Sequence, residues 1–379
     1  MVELIIRWIC KECNKKWIYP IEKCVYCKDG GKIEKIVGKK TKVVGVTKIS
    51  IPSPIHPIVP YYTLILEDEN GNRMPKKVMK EYKIGDEFSW KKSDDENAVA
   101  IVKIKYDYDE AVKQALELIG GVDVDDSTRV LIKPDVMVEA YPYLAMTTNP
   151  KVVKALIDYL VEKGVKVENI TLAEQTQYGD FGKAVSKSGF GKIVKELGIK
   201  FVDVSKSEFV EKESEGINFS IAKEVFDSDL VINVPILKTH LLLGIVGALE
   251  NMTRLISAEN YKELSKDPKK AVEGIVQLHK VLPKYVTLGD ASIGMQGNGP
   301  MKYGEPAFMN MVLASCDPVA LDKVFQEIGL LKDAEHIELA GKLDVGCSDL
   351  REIVVVGDEL DACRRELKPA IGSKLIKMS

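Results

Sequence analysis

Four cysteines near the start of the chain have the spacing that most directly predicts chemistry. Cys10 and Cys13 form one C-x-x-C pair, and Cys24 and Cys27 form a second pair after ten intervening residues. Two such pairs are typical of a tetrahedral metal site in which each pair holds one side of a zinc ion. Iron in the same four-thiolate cage, or two disulfides, are the alternatives. Because four thiolates leave no open coordination position, we expect the zinc to be structural.

A second set of polar residues follows expected strands in the later part of the chain. In open α/β sheets, ligands bind beyond the carboxyl ends of the strands, so these residues are expected to line one crevice. Lysines there would hold a carboxylate or phosphate, and a histidine would supply acid/base chemistry near neutral pH. The expected catalytic residues are His240, Lys238 and Glu174. The expected ligand-binding residues at these positions are Lys133, Asp290, Gly297, Asn298 and Gly299. Taken singly, each is equally consistent with a cap, a turn or a surface charge.

His240 has two competing interpretations. It follows an apolar strand and precedes Leu241-Leu242-Leu243, which is consistent with a structural histidine at a buried turn. Lys238 lies two residues before it, and in an extended segment both side chains would point to the same side. This shared direction favours a functional role for His240.

The glycine-rich segment Gly294–Pro300 is expected to be a loop after a strand. Closely spaced glycines let backbone N–H groups approach an anion. The segment matches neither a Walker P-loop nor a G-x-G-x-x-G fingerprint, so the sequence does not support ATP or NAD binding. Asp317-Pro318 is expected to begin a helix, with the aspartate as its cap.

The elements that must position these residues fall into three regions. Residues 1–35 are expected to form a zinc ribbon, and residues 36–106 a small oligonucleotide/oligosaccharide-binding (OB) type β-barrel that includes a strand at 98–104. Strands and helices alternate over residues 107–379, which predicts a mostly parallel α/β sheet domain. The fold class is therefore α/β, with an N-terminal zinc ribbon and barrel.

The four cysteines, the loop Ser53–Tyr61 and Ile84-Gly85-Asp86 resemble the zinc-ribbon and OB-fold accessory family of acyl-CoA metabolism. Relatives accompany thiolases, thioester synthases and aldolases, with the barrel near the acyl-CoA. The resemblance therefore implies a CoA thioester as substrate and a thiolase-like partner protein. Eight lysines between Lys23 and Lys48 would suit the CoA phosphates, although such a run is more often a solvated face.

Further stretches resemble domain-of-unknown-function family 362, which carries an iron–sulfur-associated label. They include Ile132–Asp135, Thr148–Pro150, Asn233–His240, Gly247–Met252, Asp290–Pro300 and Cys316–Asp322. The resemblance adds Asn149 and Asn251 to the expected ligand-binding residues. Asp135 and Glu250 stand where relatives usually carry Asn and Lys. The α/β region has no ferredoxin-like cysteine cluster, which argues against an iron–sulfur cluster there.

Charge and hydropathy limit the function classes. The net charge of −3 argues against a general nucleic-acid binder, and no apolar run approaches the ~20 residues that span a bilayer. We expect a cytoplasmic protein that binds a small anionic ligand, neither nucleic acid nor membrane, while the sequence leaves an oligomer open. The function that fits best is an α/β enzyme acting on an acyl-CoA or another carboxylate- or phosphate-bearing metabolite. The alternative is a non-catalytic accessory or scaffold subunit of a thiolase-like complex.

Overall fold

The structure is a computed structural model and describes residues 5–28, 30–332 and 334–371. Its first sheet has three antiparallel strands, β1 (Ile5–Cys10), β2 (Lys16–Trp17) and β3 (Ile33–Gly38). β1 lies in the middle of this sheet, and Ile5 and Ile6 are fully buried. The four cysteines lie at the end of β1 and in the segments that connect the three strands.

The second sheet is a curled antiparallel half-barrel. Its strands are β4 (Thr41–Ile49), β5 (Tyr61–Asp68), β6 (Arg73–Val78) and β7 (Glu87–Phe88), in the order β6-β5-β4-β7. Every second residue of β5 is buried, including Leu64 and Leu66, as expected for a strand with one face toward a core. The closed OB-type barrel expected from the sequence is thus present only as a half-barrel of four strands.

The remaining strands and helices alternate along the chain. The strands are β8 (Ala98–Lys103), β9 (Val130–Pro134), β10 (Ile170–Glu174), β11 (Lys200–Asp203), β12 (Phe209–Ser214), β13 (Ile217–Ala222), β14 (Leu230–Val234), β15 (Ile236–His240), β16 (Gly244–Val246), β17 (Val286–Gly297), β18 (Gly304–Ala307), β19 (Met311–Ser315) and β20 (Val354–Gly357). The α-helices are α1 (Tyr108–Leu118), α2 (Pro150–Glu162), α3 (Phe181–Lys187), α4 (Phe190–Leu197), α5 (Glu224–Asp227), α6 (Ala248–Asn251), α7 (Ala258–Leu264), α8 (Pro268–His279), α9 (Pro318–Ile328), α10 (Glu335–Lys342) and α11 (Leu360–Cys363). Short 3-10 helices span Pro142–Leu144, Val167–Asn169, Val204–Lys206 and Met252–Leu255.

Eleven of these strands form one large mixed sheet. Eight of them follow one another in the order β11-β10-β9-β14-β17-β19-β8-β20. Neighbours from β11 to β17 are parallel, whereas β19 runs antiparallel to both β17 and β8. The chain between β17 and β19 contains only the hairpin strand β18 and lacks the helical crossover that a parallel pair requires. The sheet is therefore mixed: six of its ten strand pairs in the described part of the chain are parallel, as the sequence predicted for most of the sheet, and the other four are antiparallel.

Strand β8 belongs to the large sheet rather than to the barrel to which the sequence analysis assigned it. It pairs with β19 and β20, and its first five residues are all buried. Ala98, Ala100 and Val102 pack into the core that includes the half-barrel and helices α1 and α2, while Val99 and Ile101 pack under α9. A continuous apolar run of this kind is typical of a strand covered on both faces.

No helix in the described part of the chain combines the length and the apolar character needed to cross a bilayer.

Candidate functional site

A cavity of about 330 Å³ lies beyond the carboxyl ends of the parallel strands. Its wall comes from the segments after β9, β10 and β17, from β15, and from the chain between α6 and α8. The lining includes Met137, Gln177, Tyr178, Lys238, His240, Leu241, Leu242, Leu243, Glu250, Arg254, Tyr261 and Met301. The sequence predicts a crevice at these carboxyl ends of the strands.

His240 is the last residue of β15, and one of its ring nitrogens is held by the backbone. Its Nδ1 accepts hydrogen bonds from the N–H groups of Leu242 and Leu243, both at 3.1 Å. Burial, together with Lys238, His336 and Arg254 nearby, lowers the pKa of His240 to about 3. The imidazole is therefore neutral at physiological pH and carries its proton on Nε2.

Lys238 lies two residues earlier on the same strand and also lines the cavity. Its Nζ donates to Oδ2 of Asp135 at 2.6 Å, and the lysine residue is only 1% exposed. Asp135 directly follows β9, whose residue Pro134 pairs with Val234 at the end of β14. The segment after β9 and the strand β15 thus supply the two members of this ion pair, and its lysine lines the cavity.

Arg254 is a buried cation on this wall. It is 3% exposed, donates to the side-chain oxygen of Gln177, and its guanidinium carbon lies 3.7 Å from the centre of the Tyr261 ring. No Asp or Glu forms an ion pair with Arg254 among residues 5–28, 30–332 and 334–371. An uncompensated charge in such a position costs folding free energy, which a bound anion would recover.

Glu250 is half-buried on the same wall, four residues before Arg254. It lies on α6, whose first N–H groups donate to a buried aspartate from a later part of the chain. The N–H groups of Ala248 and Leu249 donate to the two carboxylate oxygens of Asp322 at 2.6 and 3.0 Å. Asp322 thereby fixes the short helix that presents Glu250.

Lys133, Glu174 and Asn251 form one fully buried cluster, separate from the residues that line the cavity. Lys133 Nζ donates to Glu174 Oε2 at 2.9 Å and to Asn251 Oδ1 at 3.1 Å. The other hydrogen bonds to Glu174 come from the N–H groups of Val136 and Gln175. Both Lys133 and Glu174 are 0% exposed, so the cluster fixes the segments leading into the cavity.

Asn149 and Asp290 form another buried cluster. The N–H of Asn149 donates to Asp290 Oδ2 at 2.7 Å, and its side chain caps α2. The other oxygen of Asp290 accepts from the N–H and the hydroxyl of Ser292. These bonds hold the start of α2 against β17.

The glycine-rich segment is partly strand, because β17 extends to Gly297. Thr239 donates to the carbonyl oxygen of Gly297 at 2.7 Å, and a Cβ at Gly299 would overlap the Thr239 carbonyl oxygen. Asn298 Oδ1 accepts from the N–H of Ile371. Gly297, Asn298 and Gly299 therefore pack between β15 and the C-terminal segment, and the residues just after them, Pro300 and Met301, reach the cavity.

Asp317 is the N-cap of α9, as its sequence context predicts. Its carboxylate accepts from the N–H groups of Val319, Ala320 and Cys347. Cys316 follows the end of β19, which lies beside the start of β17 and therefore at the opposite end of the strands. It lines a separate cavity of about 450 Å³. It is remote in the fold from the strand ends that carry His240.

The four N-terminal cysteines lie together. The Sγ atoms of Cys10 and Cys27 are 3.6 Å apart, those of Cys13 and Cys24 are 3.5 Å apart, and all four lie within 4.8 Å of one another. A tetrahedral site with metal–sulfur bonds of about 2.3 Å has sulfur–sulfur separations of about 3.8 Å. A Cβ at Gly31 would lie 2.7 Å from Cys10 Sγ, which explains a glycine there. The cluster therefore fits a four-thiolate metal ion.

One very small cavity lies between the half-barrel and the large sheet. It is lined in part by Trp90, Lys103 and Lys105 and has a volume of about 10 Å³, space for about one water molecule. Of the basic stretch, Lys35 pairs with Glu110 and Lys42 lies 4.0 Å from Glu67. This cavity is too small for any part of coenzyme A.

Residues 130–327, slightly more than half of the chain, match a domain of unknown function, DUF362. The chain belongs to the DUF362 family. The matched residues span β9 to α9 and include most of the cavity wall and both buried clusters.

A curated relative is a thylakoid-associated protein, sll1697, of Synechocystis sp. It is 26% identical over 242 residues, which cover 62% of this DUF362 chain and 74% of the relative. Among solved structures, the lactate racemase apoprotein from Thermoanaerobacterium thermosaccharolyticum has 16% identity and a TM-score of 0.38 over 65% of this chain and 60% of that one. The Ltp2-ChsH2(DUF35) aldolase has 19% identity and a TM-score of 0.19 over 23% of this chain and 73% of that one. Both TM-scores lie below 0.5, so these likenesses assign no function.

Arg254, Gln177 and Tyr261 line the cavity but were not among the residues expected from the sequence. Glu250 and Arg254 are four residues apart in a helical stretch of this DUF362 chain, a spacing that places two side chains on one face. That spacing was the signal available. The stacking of Arg254 on Tyr261 depends on contacts between separate elements and leaves no trace in the local sequence.

Proposed function

We propose that the DUF362 part of the chain binds a carboxylate- or phosphate-bearing metabolite in this cavity and acts on it by acid/base chemistry. The observation that carries the proposal is Arg254, a residue that is 3% exposed, lines the cavity and has no carboxylate partner in the described chain. A planar guanidinium matches the two oxygens of a carboxylate or phosphate. Lys238, already neutralised by Asp135, adds a second donor to the same wall.

The rest of the wall indicates a ligand with a short apolar part. Leu241, Leu242 and Leu243 line the cavity beside the charged groups, and Leu242 is 49% exposed. The volume of about 330 Å³ is at the small end of ligand pockets. A small organic acid fits this volume. If the ligand is an acyl-CoA, only its acyl end would enter, and the nucleotide would remain outside.

The roles follow from the hydrogen bonds of each group. Arg254 and Lys238 would hold the anion, His240 would donate its Nε2–H to a ligand oxygen, and Glu250 would exchange a proton. Lys133 and Glu174 would position the strand ends rather than touch the ligand, because they already satisfy each other. For the cysteine cluster we propose a structural zinc.

A second candidate function is docking on a partner protein, and one observation favours it. Four large apolar residues around the cysteine cluster are exposed, namely Ile18 (60%), Tyr19 (54%), Val25 (81%) and Tyr26 (66%). Exposed apolar groups that lie together often mark an interface. This role is compatible with the first, since it uses a different part of the molecule.

A thermal-shift panel of matched acids and amides tests the ligand class. Carboxylates with apolar tails of one to five carbons are compared with their primary amides and with inorganic phosphate. Binding to the native state alone raises stability, so acids at about 100 times Kd should raise the Tm by several degrees. The amides should not, because they cannot neutralise Arg254. Equal shifts for acids and amides, or none for any anion, would contradict an anion site.

A further inference from the structure

His240 is a hydrogen-bond donor toward the cavity rather than a base. Its Nδ1 lone pair already accepts two backbone N–H groups, so the proton of the neutral ring is on Nε2. The low pKa of about 3 keeps the ring neutral. A neutral imidazole N–H stabilises negative charge that develops on a ligand oxygen, because the donor is fixed before the reaction begins.

Glu250 is the carboxylate best placed to take a proton. Its side chain lines the cavity, and within residues 5–28, 30–332 and 334–371 no hydrogen bond or ion pair occupies it. By contrast, the nearby Asp135 is bound to Lys238, and Asp322 is bound to two backbone N–H groups. A general base needs a free lone pair within reach of the substrate, and Glu250 has one.

Arg254, His240 and Glu250 line the same cavity, and each suits a different feature of one molecule. The fork of Arg254 suits a carboxylate, the Nε2–H of His240 suits a carbonyl oxygen, and the Glu250 carboxylate suits an acidic C–H. The leucines 241–243 suit a short alkyl chain beyond that carbon. A 2-oxo acid of about four to six carbons carries all of these features.

We infer that the cavity removes and returns a proton at C3 of a short 2-oxo acid, with Glu250 as base and His240 as donor to the carbonyl oxygen. This inference rests on the proposed function. In the forward step the C3–H bond breaks, and its proton goes to the Glu250 carboxylate. The electron pair forms the C2–C3 double bond of an enolate, whose oxygen accepts the His240 Nε2–H. The return step reverses these changes, so no oxidant or reductant is required.

Proton exchange in D₂O tests the inference with 2-oxobutanoate as the probe. Proton NMR follows loss of the C3 methylene signal with the intact protein and in buffer alone. Wild type should accelerate exchange over buffer, and Glu250→Gln should lower the enzymatic rate by about 100-fold or more. Glu259→Gln, on the exposed start of α7, is the matched control and should leave the rate unchanged.

His240→Asn should lower the same rate by about 100-fold, since it removes the Nε2–H donor. Ligand-observed NMR on the same samples measures binding separately. Binding of 2-oxobutanoate without exchange above buffer would overturn the inference and leave the anion site standing. Exchange that survives Glu250→Gln would overturn the role of Glu250. Failure of 2-oxobutanoate to bind, while other acids in the thermal-shift panel do bind, would overturn the 2-oxo acid class alone.

Discussion

At the residue scale, the backbone holds Nδ1 of His240, and Nε2 is the nitrogen that we propose for the ligand. An asparagine at this position can still accept the Leu242 N–H through its side-chain oxygen, as asparagine does in turns, whereas alanine cannot. We predict that His240→Asn retains about 1 kcal/mol more free energy of unfolding than His240→Ala. Urea unfolding of both variants measures the difference. Equal stabilities would show that the backbone bonds to Nδ1 contribute nothing.

The buried imidazole of His336 should make the stability of the protein depend on pH. It is fully buried, neither ring nitrogen has a hydrogen-bond partner in the described chain, and burial with nearby His279 lowers its pKa to about 4. Because the folded pKa lies below the unfolded value of about 6.5, stability is complete above pH 6.5. It falls as pH drops toward 4, by about 1.4 kcal/mol per unit.

We predict that His336→Leu is at least as stable as wild type at pH 7.5. At pH 5 the difference in free energy of unfolding between His336→Leu and wild type should be larger by about 2 kcal/mol. At that pH the wild-type imidazole gains a proton on unfolding, and this protonation stabilises the unfolded state. Denaturant unfolding at the two pH values measures this. An unchanged pH dependence, or a large loss at pH 7.5, would mean that the imidazole has a partner.

At the element scale, the three-stranded sheet carries a four-cysteine cluster that could hold a metal ion. The sheet of β1, β2 and β3 is small, and metal binding supplies the folding free energy of such units. We predict one zinc per chain in wild type and loss of that zinc in Cys13→Ser. Cys347→Ser is the matched control, because that cysteine lies outside the cluster. Elemental analysis of the purified proteins decides it, and iron in place of zinc would contradict the assignment.

The sequence predicted elements better than their arrangement. Most strands and helices follow apolar periodicity, and the C-x-x-C spacing indicated a cluster that the structure brings together. The assignment of β8 to the barrel was wrong, because an apolar run predicts a buried strand but does not identify the sheet to which the strand belongs. The crevice at the strand ends could be predicted from topology, and Lys238 and His240 line it. The role of Arg254 could not be predicted, because the lack of a carboxylate partner in the described chain depends on every element packed around it.

At the scale of the whole molecule, a buried ion pair ties the half-barrel to the large sheet. Lys76 of β6 lies 2.5 Å from Asp358, which follows β20, and the two side chains are 2% and 3% exposed. Burial alone would raise the pKa of Asp358, but Lys76 and neighbouring lysines lower it to about 2. The cores of the half-barrel and the sheet are also continuous.

We therefore predict that the half-barrel and the large sheet unfold in one calorimetric transition. Lys76→Met should destabilise that transition by about 3–5 kcal/mol, since it removes the direct ion-pair partner of the buried Asp358 carboxylate. Lys284→Met removes a surface pair with Glu96, exposed by 90% and 73%, and should cost less than about 1 kcal/mol. Two separate transitions in wild type would show that the parts are independent.

We propose that Arg254 holds an anion, and calorimetric titration of Arg254→Met is the sharpest test of that role. The titrant is the carboxylate with the largest Tm shift in the panel, and Arg351→Met, an exposed arginine paired with Asp349, is the control. Loss of a charge-assisted pair of about 2 kcal/mol weakens binding about 30-fold or more. We predict this loss in Arg254→Met and wild-type affinity in the control. We expect the ligand-free variant to stay folded, because removal of an uncompensated buried charge offsets the lost hydrogen bond to Gln177 and the lost stacking on Tyr261. Affinity within threefold of wild type in a folded Arg254→Met protein would contradict the account.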